Sequence, residues 1–148
     1  KPGYSWDYDI KLLGTKSYMI DLVAAIALEQ MKKLPDHLQL RRDIQKTYNQ
    51  ELKDYIQAPV WTETVQNYGA RVSAEHRDAL IDYLSQKKIH TSVHYKPLHL
   101  HTLFKSEKVL PVAEEEWKRL ISLPCHPAMT AEDTEYVVYW VKEFFKKG

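Results

Sequence analysis

The segment His94-Tyr95-Lys96-Pro97-Leu98-His99-Leu100-His101 sets three imidazoles, a phenol and an ammonium within eight residues, with a proline to stiffen it. Such groups hydrogen-bond and titrate, so their crowding at the end of an extended stretch fits a ligand site better than an apolar core. A second polar knot, Leu123-Pro124-Cys125-His126-Pro127, follows it. A metal enzyme built on His94, His99 and His101 is one reading. The spacing of five and then two matches no standard zinc pattern, and no Cys or carboxylate stands close in sequence to complete a set. Imidazoles that hydrogen-bond a polar ligand or one another are the simpler reading, with no metal. Cys125 lies between Pro124 and His126, yet catalytic partners usually meet in space, so a buried or inert thiol is expected. The chain has no P-loop, GxGxxG, GxSxG or HExxH, and its four glycines leave little for a glycine-rich phosphate cradle. Glu114-Glu115-Glu116 falls early in a helix, where acids favour the dipole, and does not suggest paired-carboxylate catalysis.

The elements that must position these groups can be read from periodicity. Residues 1–18, with Pro2, Gly3, Trp6, Tyr8 and Gly14, read as an extended arm. Ile20, Val23, Ala24, Ala27, Leu28 and Met31 recur at helical spacing to about Leu34, where Pro35 interrupts. A second helix from Asp36 to about Tyr55 sets Leu38, Ile44, Tyr48, Leu52 and Tyr55 on one side, with Arg41, Arg42 and Lys53 on a wetted surface. A strand is predicted over Thr64 to Val72, then a helix from Ala74 to about Lys87 capped by Ser73. The clearest strand follows, with Ile89, Thr91, Val93 and Tyr95 facing the core and His90, Ser92, His94 and Lys96 the other way. Pro97 ends it in a loop. Pro111 opens a helix reaching about Leu120, and Ile121 to Leu123 add a short strand. Thr130-Ala131-Glu132-Asp133 resembles a capping box, with Met129 as its staple, before a last helix that buries Val137, Trp140, Val141 and Phe144 and ends at Lys146-Lys147-Gly148. The order describes an α/β chain, a small sheet with helices packed against it.

Bulk properties bound the partners. With 21 Lys+Arg against 20 Asp+Glu there is no overall field to favour nucleic acid or a membrane surface. No apolar run approaches the roughly 20 residues a membrane span needs, and the opening Lys1-Pro2-Gly3-Tyr4 does not read as a signal peptide. A single cysteine excludes an intrachain disulfide and makes a reducing, cytoplasmic setting the default. From the residues alone, this is an α/β domain with a histidine-lined site.

Gly14-Thr15-Lys16-Ser17-Tyr18-Met19-Ile20-Asp21-Leu22-Val23-Ala24-Ala25, continuing to Gln30 and Leu34, resembles the motif G-x-K/N-Y-N/R-M-T-D-x-x-A-A…Q-L of the DegT-type sugar aminotransferases, the DegT/DnrJ/EryC/StrS family. The Arg41-Arg42 helix, the segment Ile89 to His101, Pro111-Val112-Ala113-Glu114 and Ser122-Leu123-Pro124-x-His126-Pro127 follow in that family's order. The resemblance implies a pyridoxal-phosphate (PLP) enzyme of the aspartate aminotransferase fold (PLP fold type I), of which this is the C-terminal portion. Residues 1–35 would be an arm and interdomain helix at the tail of the large domain. Residues 36–148 would be the small C-terminal domain, a small, mostly antiparallel sheet packed with helices.

By the same resemblance Lys16, Ser17 and Tyr18 match the loop that reaches the PLP phosphate of the partner subunit in a homodimer with shared active sites. Tyr18 stands where Asn or Arg is usual, and Ser17 where Tyr is common. His94, Tyr95, Lys96, His99 and His101 match the strand and loop that line the nucleotide-sugar pocket. No segment resembles the motif around the Schiff-base lysine, so no catalytic residue is expected in this chain, and the missing N-terminal large domain would hold most of the cofactor. The implied function is amination of a nucleotide-linked keto-sugar, in amino-sugar and cell-surface polysaccharide biosynthesis, with an amino acid such as glutamate as donor. This chain alone would be inactive. The alternative is a catalytically silent module that binds sugar nucleotides.

Overall fold

The apolar periodicity that starts at Ile20 becomes one unbroken helix, α1 (Asp21–Glu51), and not two helices separated at Pro35. The computed structural model describes residues 9–60 and 65–146. The arm residues Pro2, Gly3, Trp6 and Tyr8, the start of the expected strand at Thr64, and the final Lys147-Gly148 lie outside them. Pro35 sits within α1 because its φ is already close to the helical value, and it removes only the bond toward the Met31 carbonyl. The helix stops at Glu51, short of Tyr55. Beyond it the Leu52 carbonyl accepts from the N–H groups of Tyr55 and Ile56, at 2.9 and 3.0 Å.

Two short strands, β1 (Tyr68–Arg71) and β2 (Leu120–Leu123), pair antiparallel with Tyr68 opposite Leu123 and Arg71 opposite Leu120. Gln57 bridges Arg71 on the far edge of β1, and Ser92 bridges Ser122 on the far edge of β2. The expected strand over 89–96 is reduced to that one bridge. The register would place His90 opposite Pro124 and His94 opposite Leu120. Pro124 has no N–H to donate, and the Leu120 N–H already bonds the Glu116 and Trp117 carbonyls. The alternation survives without the ladder: Ile89, Thr91 and Val93 are buried, His90 is exposed, and Ser92 and His94 are half-buried. It fails at Tyr95, which leaves the core face and is 63% exposed.

Helix α2 (Ala74–Gln86) begins where the sequence places it, but the Ser73 hydroxyl does not cap it. That hydroxyl turns to the His76 ring at 2.7 Å, while the Ser73 carbonyl takes the N–H groups of His76 and Arg77. After Pro97 come two short 3₁₀ turns, Leu98–Leu100 and Thr102–Phe104, then α3 (Pro111–Arg119) with Pro at its start. Helix α4 (Ala131–Lys146) opens on the predicted capping box. The Asp133 N–H donates to Thr130 Oγ1 at 3.1 Å and the Thr130 N–H to Asp133 Oδ2 at 2.8 Å. Met129 packs on the core beside it. The buried residues of α4 are Thr134, Val137, Val138 and Val141; Trp140 and Phe144, expected inside, are half-buried against the same core.

The core lies between the second half of α1, the two strands, α2 and α4. Tyr48 and Tyr68 are fully buried there, ring centroids 4.9 Å apart, and both hydroxyls are satisfied: Tyr48 donates to the Pro124 carbonyl at 2.9 Å and Tyr68 to Asn49 Oδ1 at 2.8 Å. Burial holds both phenols above their usual pKa. Leu52, Leu80, Leu84, Ile121 and Val141 complete the interior, each worth about 1.5–3 kcal/mol of buried apolar surface. Among the described residues no helix is long and apolar enough to cross a membrane.

Candidate functional site

A cleft of about 320 Å³ opens where α1, β2 and the segment after α2 meet, lined by Arg41, Asn67, His90, His94, Ser122 and His126 among others. The bridge between Ser92 and Ser122 sets its wall, so the side chain of His94 lies against β2. His94 Nδ1 and Ser122 Oγ are 2.8 Å apart, and the ring meets Tyr95 edge-on with centroids 4.7 Å apart. Burial lowers the His94 pKa from 6.5 and so favours the neutral imidazole. A neutral ring held at one nitrogen by a hydroxyl offers the other to a ligand hydroxyl. His94 therefore does not point into the apolar core.

The five residues of the histidine segment do not converge. Tyr95 is exposed, edge-on to the His94 ring. Lys96 Nζ stands 5.6 Å from the centre of the Trp117 ring, and the Arg77 guanidinium lies at the same distance from that ring. His99 Nε2 meets Glu114 Oε1 at 3.0 Å, the same carboxylate oxygen that accepts the Leu110 N–H at the start of α3. Those two hydrogen bonds, the backbone one first, hold the Glu114 carboxyl below its usual range.

His101 is 2% exposed and turns to the arm. Its Nδ1 accepts the Ile10 N–H at 3.3 Å and lies 3.6 Å from Asp9 Oδ1. Asp9 also takes the Thr102 hydroxyl and N–H, and Leu103 donates to the Ile10 carbonyl. Two of the three histidines thus fasten the loop after Pro97, one to α3 and one to the arm. One lines the cleft. Among the described residues no three His, Cys, Asp or Glu side chains gather as metal ligands.

Lys16, Ser17 and Tyr18 are exposed on the irregular segment that leads to the extended Ile20 and into α1, Tyr18 at 99%. An ammonium and two hydroxyls in that setting suit a phosphate presented from outside this chain. No hydrogen bond joins them to the cleft among the described residues.

The pattern of the sequence hid Arg41, Asn67 and Ser122. Arg41 reads as part of a wetted face beside Arg42, yet it lies three, four and seven residues before Ile44, Gln45 and Tyr48, the buried positions of α1. That spacing places it at the edge of the buried stripe. Its Nη1 donates to the carbonyls of Gln66 and Cys125, the latter at 2.9 Å. Cys125 itself is buried, and desolvation raises its thiol pKa despite Arg41, as an inert cysteine requires.

Comparison with known proteins matches residues 2–142 to the model of the DegT/DnrJ/EryC1/StrS aminotransferase family. The chain is 29% identical, over 97% of its length, to a dTDP-4-dehydro-2,3,6-trideoxy-D-glucose 4-aminotransferase of Saccharopolyspora spinosa, and covers 38% of that protein. It is 30% identical, over 96% of its length, to the spore coat polysaccharide biosynthesis protein SpsC of Bacillus subtilis, and covers 41% of that one. Its fold superposes on the PLP form of Spr1654 from Streptococcus pneumoniae with a TM-score of 0.79 and 33% identity, over 97% of this chain and 40% of the other. The chain therefore spans about two fifths of the length of these relatives.

Proposed function

The chain belongs to the DegT/DnrJ/EryC1/StrS aminotransferase family, and from that premise we propose that it is the C-terminal part of a PLP-dependent enzyme that aminates a nucleotide-linked keto-sugar. The observation that carries the reading is the family match across residues 2–142 on a fold whose cleft presents His94, its ring held by the Ser122 hydroxyl. In this proposal residues 1–35 belong to the arm and interdomain helix and residues 36–148 to the small domain. Burial along α1 differs between its two ends: nothing before Ile44 in that helix is buried, whereas Ile44, Gln45 and Tyr48 are.

PLP, when bound, supplies the electron-accepting ring through which an amino group passes from donor to keto-sugar. Lys16, Ser17 and Tyr18 would hold its phosphate by an ammonium and two hydroxyl donors, reaching a site completed by a second subunit. His94 would orient a sugar hydroxyl from the cleft wall, with the exposed Tyr95 edge-on beside it, while Lys96 lies over Trp117. His99 and His101 would keep the loop after Pro97 in place through Glu114 and the arm. The Schiff-base lysine and the partner of the ring nitrogen would come from the large domain, so this chain alone would not transaminate. Glutamate as donor, a homodimer and a cytoplasmic setting complete the proposal; the free, buried Cys125 fits the last.

Calorimetry of the chain with dTDP-, UDP- and GDP-linked sugars tests the sugar side. Binding that is lost in His94→Ala, with melting unchanged, supports the assignment. Equal binding by His94→Ala sinks it. Tight binding by the chain alone, unaffected by adding the large domain of a relative, would favour a silent sugar-nucleotide module instead.

A further inference from the structure

We infer that the cleft is an oxyanion subsite centred on Arg41, taking a carboxylate or phosphate group of a substrate. Arg41 is half-buried, and one of its guanidinium nitrogens is fixed by two backbone carbonyls from separate segments, Gln66 and Cys125. The rest of the planar fork has no partner among the described residues. Of the chain's other arginines, Arg71 and Arg119 pair with Glu116 and Arg77 with Asp78, while Arg42 reaches the side-chain oxygen of Gln39. Among the described residues Arg41 has no carboxylate within ion-pair distance, and none of those that line the cleft is an Asp or Glu.

The chain has 20 acidic residues against 21 basic ones, so the lack of acids among the described lining residues is local. A held guanidinium is a pre-organised match for two oxygens of a carboxylate or phosphate. Asn67, His90 and His126 stand around it as further hydrogen-bonding groups, and His94 offers a place for a hydroxyl. The positive character continues outward. An adjoining cavity of about 580 Å³ shares His90, Pro124 and His126 with the cleft and adds Lys87 and Lys88. Its one carboxylate, Asp133, is engaged in capping α4.

The proposed aminotransferase reading supplies two sources for such a group, the carboxylate of an amino donor and the diphosphate of a sugar nucleotide. The inference rests on that reading only for those sources. The charge and geometry of the cleft stand without it.

The test is an NMR titration of the 148-residue chain with inorganic phosphate, pyrophosphate and L-glutamate, following the assigned Nε–H resonance of Arg41. A saturable shift of that resonance, weakened by added salt, is expected. Pyrophosphate stronger than glutamate assigns the subsite to the nucleotide, and the reverse assigns it to the donor. Arg41→Met should weaken binding about tenfold or more, with Arg41→Lys intermediate because charge survives and the fork does not. If loss of the clamp on Gln66 and Cys125 unfolds Arg41→Met, the wild-type titration decides by itself. No shift at Arg41 with any of the three anions overturns the inference, as does a folded Arg41→Met that binds equally. Nucleotide sugars binding without moving Arg41 would remove the subsite and leave the sugar site. Anions moving Arg41 while no nucleotide sugar binds would do the opposite.

Discussion

Leu22, Ile26, Leu28 and Met31 in the first half of α1 are 57–69% exposed, whereas Ile44 and Tyr48 in its second half are 6% and 0% exposed. Both halves carry apolar residues at helical spacing, and one backbone runs through them without a break. Among the described residues only the second half packs on the rest of the fold, the strands and α4, to which Glu51 is also tied by Lys142 at 2.6 Å. Periodicity thus reports that a helix needs a partner and not whether this chain supplies it. An apolar face of that extent on a surface helix marks an interaction site. In a chain spanning about two fifths of its relatives' length, the proposed large domain is the surface that would cover it.

The contrast can be broken at its buried end first. Tyr48→Ala removes a fully buried ring, its contact with Tyr68 and its bond to Pro124, and should cost about 3–5 kcal/mol in a urea melt. A cost under about 1 kcal/mol would mean that the second half of α1 is not part of the core. Thr130→Ala, which deletes the cap of the helix that α1 packs on, should cost about 1 kcal/mol by the same melt.

Acid should act on the same side of the contrast. Lys142 holds the Glu51 carboxyl below its ordinary 4.5, and Thr130 holds that of Asp133 below 3.8. Because their folded pKa values are depressed, the stability they contribute is complete above those ordinary values. It is lost as pH falls through the lower folded ones. Melting temperature should therefore fall below about pH 4, and Glu51→Gln should flatten that fall; an unchanged pH profile in Glu51→Gln would show that the tie to α4 carries no weight. The smallest effect belongs to the exposed half. Met31→Ala should change stability by no more than about 0.5 kcal/mol. A loss of about 2 kcal/mol or more would mean that this face is packed within the chain after all.

The same division governs what could be read from the residues. α2, α3, β2 and the capping box of α4 were legible because their signals are local: apolar spacing, Pro111 at a helix start, Thr130 three residues before Asp133. The strand over 89–96 was not, because its ladder depends on residues far along the chain. Pro124 lacks a donor, and the Leu120 N–H closes α3. Pro35 misled for a different reason, since one lost bond does not stop a helix that continues on both sides. At the site, the family's residue types pointed to His94. Nothing local showed that His99 would turn to Glu114 and His101 to the arm, or that Arg41 would meet no carboxylate among the described residues of the cleft. Those outcomes are set by which segments meet.

The central claim is that this chain carries the sugar-side and phosphate-side elements of an aminotransferase while the cofactor lysine lies elsewhere. Mixing the chain with PLP, reducing with borohydride and mapping pyridoxyl groups by peptide mass spectrometry tests it most directly. The account predicts scattered labelling or none; a stoichiometric adduct on one lysine would contradict it.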